Sequence, residues 1–362
     1  MKETFDIAVF PGDGIGPEIM APATRILKGL AENAGYRLNL QDCAAGAAHY
    51  AQTGESLPEI SMQVARGADA ILLSAMGLPS VRYPDGTEIS PQIDLRKALR
   101  LFAGVRPVRI FPGQKTPLAM PEGKEVDFVL IRESTEGLFY TQGCGEVTEN
   151  EARETLLITR ETSELLFDFA FRLAHERKAA GRGRGHVTCV DKANVFRAFA
   201  FFRSLFDAEA AKHADLTSDH AYVDATALWF VQKPWDFDVL VTENMFGDIL
   251  SDLGAGLMGG LGVAPSADIG VDHAVFQPCH GSAPDIAGQG IANPFAMILS
   301  AAMMLEWMGL RADNPTVAAD GARLRAATEA VIGQGDVLTG DLGGRATTEE
   351  AADAVIAALE AH

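Results

Sequence analysis

Residues 237–262 read FDVLVTENMFGDILSDLGAGLMGGLG: an apolar run with the character of a short strand, then a helical pattern, then glycines. A strand delivering a helix is the repeating unit of α/β folds. Inside this stretch Asp248 and Asp252 stand four residues apart, so a helix places them on one face. Two carboxylates at that spacing repel by ~0.2–0.5 kcal/mol unless a cation lies between them. Met245, Phe246, Ile249, Leu250 and Leu253 surround them and predict partial burial, where an unneutralised carboxylate costs far more. Acids also suit the first turn of a helix, where the macrodipole favours negative charge. This segment alone does not separate the two explanations.

The same succession recurs along the chain. β-rich runs at 7–10, 70–74, 126–131, 186–190 and 237–242 are mostly separated by helical patterns, which predicts an α/β fold with a largely parallel sheet covered on both faces. Polar residues crowd just beyond four of these runs, as Gly12-Asp13-Gly14, Arg132-Glu133, Asp191-Lys192 and Glu243-Asn244. In open α/β sheets ligands bind beyond the carboxyl ends of the strands, although structural turns use the same residues. Residues 140–155, YTQGCGEVTENEARET, break the rhythm and predict a projecting hairpin or arm. Arms of this kind exchange between subunits, so a homodimer is expected. Residues 298–308 predict a core helix and 347–362 a terminal amphipathic helix.

With 362 residues, 48% of them hydrophobic, the chain has material for a large core and two domains. Its 49 acids against 30 Lys and Arg give a formal charge of −19, so a nucleic-acid backbone would be repelled. The one dense basic cluster, at 172–184, has the form of a helix end running into a glycine loop. Neither a signal-peptide pattern nor an apolar run of bilayer length is present in the sequence, and the expectation is a cytoplasmic protein without membrane partners. Cys43, Cys144, Cys189 and Cys279 lack metal-ligand spacing and read as reduced thiols.

Several residues carry possible chemistry. Gly12-Asp13-Gly14-Ile15-Gly16-Pro17-Glu18 joins a strand to a helix but has neither the dinucleotide fingerprint nor a P-loop lysine. Arg96, Arg106 and Arg132 are candidates for a carboxylate clamp, because guanidinium forks match carboxylates. Lys192 lies at a strand-to-helix junction, where a base is plausible and a salt bridge to Asp191 or another acid is the simpler alternative. Asp224 is an isolated acid in an apolar helical pattern and needs a partner, a metal being one candidate. The loop beginning His280-Gly281-Ser282-Ala283-Pro284-Asp285-Ile286 and continuing to Asn293 has small residues for close approach to a ligand, and Asp285 could accept hydrogen bonds from a ribose diol.

Taken together, these segments resemble the metal-dependent, β-decarboxylating hydroxyacid dehydrogenases: isopropylmalate, isocitrate, homoisocitrate and tartrate dehydrogenases. The similarity runs from residue 12 to about 308 and is most specific in ENMFGDILSDLGAGLMGGLGVAPSADIG and HGSAPDIAGQGIANP. It implies an isocitrate/isopropylmalate dehydrogenase-like fold of two α/β domains with a cleft, distinct from the nucleotide-binding Rossmann fold. Residues 1–100 and 255–362 would form the large, cofactor-side domain, and 101–254 the small domain with the dimer interface and the arm. The resemblance further implies that Asp248 and Asp252, with Asp224 from a partner subunit, bind Mg²⁺ or Mn²⁺. Arg96, Arg106 and Arg132 would hold the malate carboxylates of a small hydroxyacid, with Lys192 of the partner as base. His280, Gly281, Ser282, Ala283, Asp285, Ile286 and Asn293 would meet the cofactor, which Asp285-Ile286 favours as NAD because NADP-dependent relatives carry Lys-Tyr there.

Two segments depart from the family's pattern. A tyrosine is usual seven residues after the motif arginine, as the acid that completes the reaction; here Phe139 stands there and Tyr140 follows. On a strand Tyr140 would face the other way and could substitute only through a bulge. Before Arg96, where isopropylmalate enzymes carry leucines, this chain has Ser90, Gln92 and Asp94. The expected substrate is therefore a 3-substituted malate with a polar substituent. Isopropylmalate itself, a tartrate or malate oxidised without the usual tyrosine, and a non-catalytic regulatory subunit are the alternatives.

Overall fold

The computed structural model describes residues 2–361. Twelve strands follow the chain as β1 Thr4–Phe10, β2 Arg37–Asp42, β3 Ala70–Leu73, β4 Ala103–Arg109, β5 Asp127–Glu133, β6 Glu146–Val147, β7 Ala152–Arg153, β8 His186–Asp191, β9 Thr217–Tyr222, β10 Val239–Thr242, β11 Pro265–Ile269 and β12 Ala274–Pro278. Ten of them form one sheet in the order β2-β1-β3-β12-β11-β4-β5-β10-β8-β9. The five strands before β4 in that order come from residues 4–73 and 265–278, and the remainder from residues 103–242.

The sheet is parallel on both flanks and antiparallel in the middle. β11 runs antiparallel to both β12 and β4, and β4 antiparallel to β5, while the other pairings are parallel. The central antiparallel strands were not expected. β4, AGVRPVR, contains two arginines and a proline, and β11, PSADI, contains a serine and an aspartate, so neither shows the apolar run that marks a buried strand. Both are nevertheless largely or wholly buried, because the polar side chains pair with one another in the interior.

All five expected β-rich runs fall on strands. Helix Phe295–Arg311 is buried along most of its length, as its Met-rich composition predicts. Helix Thr348–Glu360 starts at a capping box between Thr347 and Glu350. The basic cluster ends helix Arg160–Ala179, and its buried Arg177 pairs with Asp127 and Asp238. Residues 146–153 form an exposed two-stranded hairpin. Among the described residues no helix is long and apolar enough to cross a membrane.

Candidate active site

β10 delivers helix Asn244–Leu257, whose N-cap is Glu243; its carboxylate accepts from the Met245 and Phe246 amides at 3.1 and 3.3 Å. Asp248 and Asp252 therefore lie beyond the first turn, which contains no acid of its own. Macrodipole stabilisation acts within that turn and does not account for them. Burial and the charge of Asp248 both push the Asp252 carboxyl above its usual range, against the opposing charges of Arg132 and Arg106.

These aspartates border a cavity of about 260 Å³ together with Gln92, Arg96, Arg106, Arg132, Phe139, Ser251, Gln277 and His280. Arg132 is buried, donates from Nε to Asn244 Oδ1 at 2.8 Å and forms an ion pair with Asp248. Burial, reinforced by the charges of Arg96 and Arg106, pulls its guanidinium down to about 10. Gly247 lets the helix approach closely: a Cβ there would lie 2.6 Å from the Arg132 side chain.

An acid absent from the expected site holds the other two arginines. Asp268, on β11, is fully buried and accepts from Arg96 Nε at 2.9 Å and Arg106 Nη2 at 3.0 Å. Although burial opposes its ionisation, Arg106 and Arg96 hold its pKa at about 2. Gln277 donates to it from the neighbouring strand at 2.8 Å. The one available sequence signal was a charged residue inside an apolar-flanked PSADIG segment.

A second cavity, of about 550 Å³, adjoins the first through His280 and Gly281 and adds Ile15, Leu261, Ala283, Ile286, Ile291, Asn293, Asp341 and Arg345. Of the expected cofactor residues, His280, Gly281, Ala283, Ile286 and Asn293 line it. Ser282 does not: its hydroxyl donates to Gly77 O and its carbonyl accepts from Ile15 N. Asp285 is exposed beside the cavity rather than lining it. The GDGIGPE turn serves this loop. A Cβ on Gly14 would lie 2.0 Å from Ser282 O, and the Glu18 carboxylate accepts from the Gly288 and Ala292 amides at 3.0 and 2.9 Å. Gly14 thus admits the loop's backbone, while Gly12 and Gly16 pack on the backbone of Ala75 and Pro11.

Polar atoms around the cavities await partners. Ser74 Oγ, Gln92 Oε1 and His280 Nε2 are buried without a hydrogen bond. Gly281 O, 2.9 Å from His280 Nδ1, can only accept, so Nδ1 carries the proton and Nε2 is left as an acceptor. Burial lowers the His280 pKa and favours that neutral form. A ligand with a donor group fits here, and the adjoining apolar walls suit a planar ring.

Lys192 and Asp224 lie elsewhere. They pair with each other at 2.7 Å, and the Asp224 side chain is 69% exposed. Asp191 is instead engaged by Arg203 through both oxygens, at 2.7 and 2.6 Å. Among the described residues no group of three His, Cys, Asp or Glu side chains is arranged to hold a metal. Asp248 and Asp252 supply hard oxygen donors for part of a magnesium or manganese shell, and one chain does not bring Asp224 to them.

Two further expectations are corrected. Residues Leu138–Thr141 form a 3₁₀ turn rather than a strand. Phe139 lies with its ring 5.2 Å from the Arg132 guanidinium, on the arginine cavity, whereas Tyr140 borders a different cavity with Lys97, Arg100 and Thr159. Ser90 also lies off the arginine cavity, accepting a hydrogen bond from Gln142 at 3.3 Å.

Comparison with known proteins agrees with this geometry. Residues 6–355 match the family model for isocitrate/isopropylmalate dehydrogenase. The 3-isopropylmalate/3-methylmalate dehydrogenase of Methanocaldococcus jannaschii is 41% identical over 96% of this chain and 97% of its own length. The 3-isopropylmalate dehydrogenase of Streptococcus pneumoniae is 40% identical over 98% and 99%. Isocitrate dehydrogenase from Methylococcus capsulatus superposes with a TM-score of 0.84 at 35% identity, covering 98% of this chain and 99% of that one. The chain belongs to the isocitrate/isopropylmalate dehydrogenase family of oxidoreductases.

Proposed function

We propose that this enzyme oxidises the CH–OH carbon of a 3-substituted malate with NAD and a divalent metal, and releases the β-carboxylate as CO₂. The observation that carries the reading is the cavity joining Arg96, Arg106 and Arg132 to Asp248 and Asp252, open to the cavity behind His280. Guanidiniums that face a cavity bind substrate carboxylates. Arg96 keeps both Nη groups free of protein acceptors among the described residues.

Asp248 and Asp252 would hold Mg²⁺ or Mn²⁺ with Asp224 of a second copy, and Lys192 of that copy would take the hydroxyl proton. Bound there, the metal would supply Lewis-acid polarisation of the alcohol and the cofactor a hydride acceptor. The Nε2 acceptor of His280 would orient a donor group of the cofactor, and Ile15 and Ile286 would pack against its rings. Leu228, Val231 and Ile249 are exposed on helices Val223–Gln232 and Asn244–Leu257, which pack together. An apolar face there supports a homodimer that brings Lys192 and Asp224 to the neighbouring cleft. Domain boundaries near residues 100 and 255 would place the cleft at the centre of the sheet.

After decarboxylation the enol carbon needs a proton, and Phe139 has none to give. Protonation by water, or a substrate whose oxidation needs no such step, would answer this. A polar 3-substituent is the preferred reading because the Gln92 Oε1 and Ser74 Oγ atoms beside the cavity lack partners. Isopropylmalate is the second reading, favoured by the names of the relatives and by Leu73, Met76 and Ile93 on the same wall. Initial rates with isopropylmalate, isocitrate, homoisocitrate and tartrate, using NAD and Mn²⁺, decide between them. Faster turnover of a polar substrate is expected; strong preference for isopropylmalate would refute the polar pocket, and no NADH from any would refute the function.

A further inference from the structure

Asp268 lies behind the arginine cavity, bonded to Arg96 and Arg106 without lining the cavity itself, and the proposed chemistry leaves it without a role. Its position is built rather than incidental. β11 lies between β12 and β4, with Asp268 opposite Val275 on one side and Gly104 on the other. A Cβ on Gly104 would come within 3.1 Å of Asp268 Oδ1 and 2.5 Å of Ser134 Oγ, so glycine leaves room for the carboxylate. Arg106 follows two residues later on β4, and residues two apart on a strand share a face. The backbone register therefore brings acid and guanidinium together.

Each carboxylate oxygen has a defined task. Oδ1 accepts from Arg106 Nη2 at 3.0 Å, with Ser134 Oγ at 3.3 Å. Oδ2 accepts from Arg96 Nε at 2.9 Å and from Gln277 Nε2 at 2.8 Å. For Arg96 this is the one protein hydrogen bond of its side chain among the described residues. Bonding through Nε fixes the plane of the guanidinium while leaving its outer fork for a ligand.

We propose that Asp268 is a positioning residue for the hydroxyacid: an internal counter-ion that aims Arg96 and Arg106 at the substrate carboxylates. This rests on the proposed function for the identity of the ligand. Asp268 would not touch substrate itself. Removing its charge has two opposed consequences. An added net positive charge strengthens attraction for a dianion, whereas loss of the anchors frees two guanidiniums to turn away. The inference is that geometry dominates, since bidentate recognition is lost when the fork is misaligned.

The experiment compares wild type, Asp268→Asn and the double exchange Asp268→Asn with Gln277→Glu, which moves the carboxylate one strand over. Readouts are malate binding by titration calorimetry, hydroxyacid KM, NAD KM and kcat, with folding followed by circular dichroism. Asp268→Asn is expected to weaken malate binding and raise the hydroxyacid KM by about tenfold or more, with NAD KM held within about twofold. The double exchange is expected to recover binding to within about threefold of wild type, and that recovery carries the proposal if the single variant fails to fold. Unchanged or tighter malate binding in Asp268→Asn overturns it. So does a folded double exchange without recovery, or loss of folding in both variants, because the carboxylate then serves the fold alone. Calorimetry needs no turnover, so a wild type that binds malate without producing NADH refutes the function and leaves the Asp268 comparison readable. Failure of wild type to bind malate overturns both.

Discussion

Two ion pairs in this chain join an expected substrate-handling cation to an expected metal ligand, and their surroundings differ sharply. Arg132 and Asp248 meet at a cavity shared with Arg96, Arg106 and Asp252. Lys192 and Asp224 meet on an open surface, where the aspartate side chain is 69% exposed. Near them Val195, Phe196 and Tyr222 are also exposed in the sequence around each partner. Arg132 is buried although the Asp248 side chain is 48% exposed, so this pair is screened less than one on an open surface, which contributes little by itself. The difference supports the proposed reading in which one chain carries complementary halves of a site. It also gives a physical reason for a second copy: covering the exposed pair would exclude the water that screens it.

The sharpest way to break this comparison is complementation. Lys192→Met is expected to lower kcat by roughly 10²–10⁴, the range for loss of a positioned base, and Asp252→Asn to abolish metal-dependent turnover. Mixed dimers of the two inactive chains contain one intact site, so random reassembly should restore about a quarter of wild-type activity. An inactive mixture, with mixed dimers demonstrated by mass, would show that both halves come from one chain.

Acid unfolding separates buried from exposed carboxylates next. The folded pKa of Asp268 is depressed to about 2 from 3.8, so its stabilising contribution is complete above pH ~4 and is lost as pH falls through ~2. That contribution is on the order of 2 kcal/mol. The stability gap between wild type and Asp268→Asn should therefore narrow over that window. Asp224 is also held below its usual range, by the hydrogen bond from Lys192, yet its side chain is mostly exposed, and Asp224→Asn should leave the acid-unfolding curve superimposable on wild type. A large shift for Asp224→Asn in isolated chains would contradict the contrast.

The smallest effects are expected at the 3₁₀ turn. Tyr140→Phe should leave turnover within about twofold, because Tyr140 borders another cavity and surface changes are small. Phe139→Tyr places a hydroxyl beside Arg132 and should speed formation of the protonated, decarboxylated keto product, measured by chromatography against time. Loss of activity in Tyr140→Phe, with no change in Phe139→Tyr, would make Tyr140 the acid.

Legibility of the site followed the local character of each signal. Arg96, Arg106, Arg132, Asp248, Asp252, Gln92 and His280 were expected together and border one cavity. Residue type made each a candidate and the family resemblance joined them; of the set Arg132 alone was legible from its place near a strand's carboxyl end. Ser282, Asp285 and Ser90 were expected at ligands and do not line these cavities. Loop composition conveys the possibility of close approach without saying which atoms face inward. Asp268 and Gln277 were missed because their meaning lies in pairing across strands, 172 residues from Arg96 in the first case.

By itself the sequence determined the α/β class, the five β-rich runs and the residue types of a cation-and-carboxylate site, because periodicity and spacing act within a few residues. Tertiary structure alone decided that the middle of the sheet is antiparallel, that Asp268 sits among the arginines, and that Lys192 and Asp224 stand apart from Asp248 and Asp252. Those outcomes depend on which distant strands become neighbours, and burial then selects polar partners from across the whole chain.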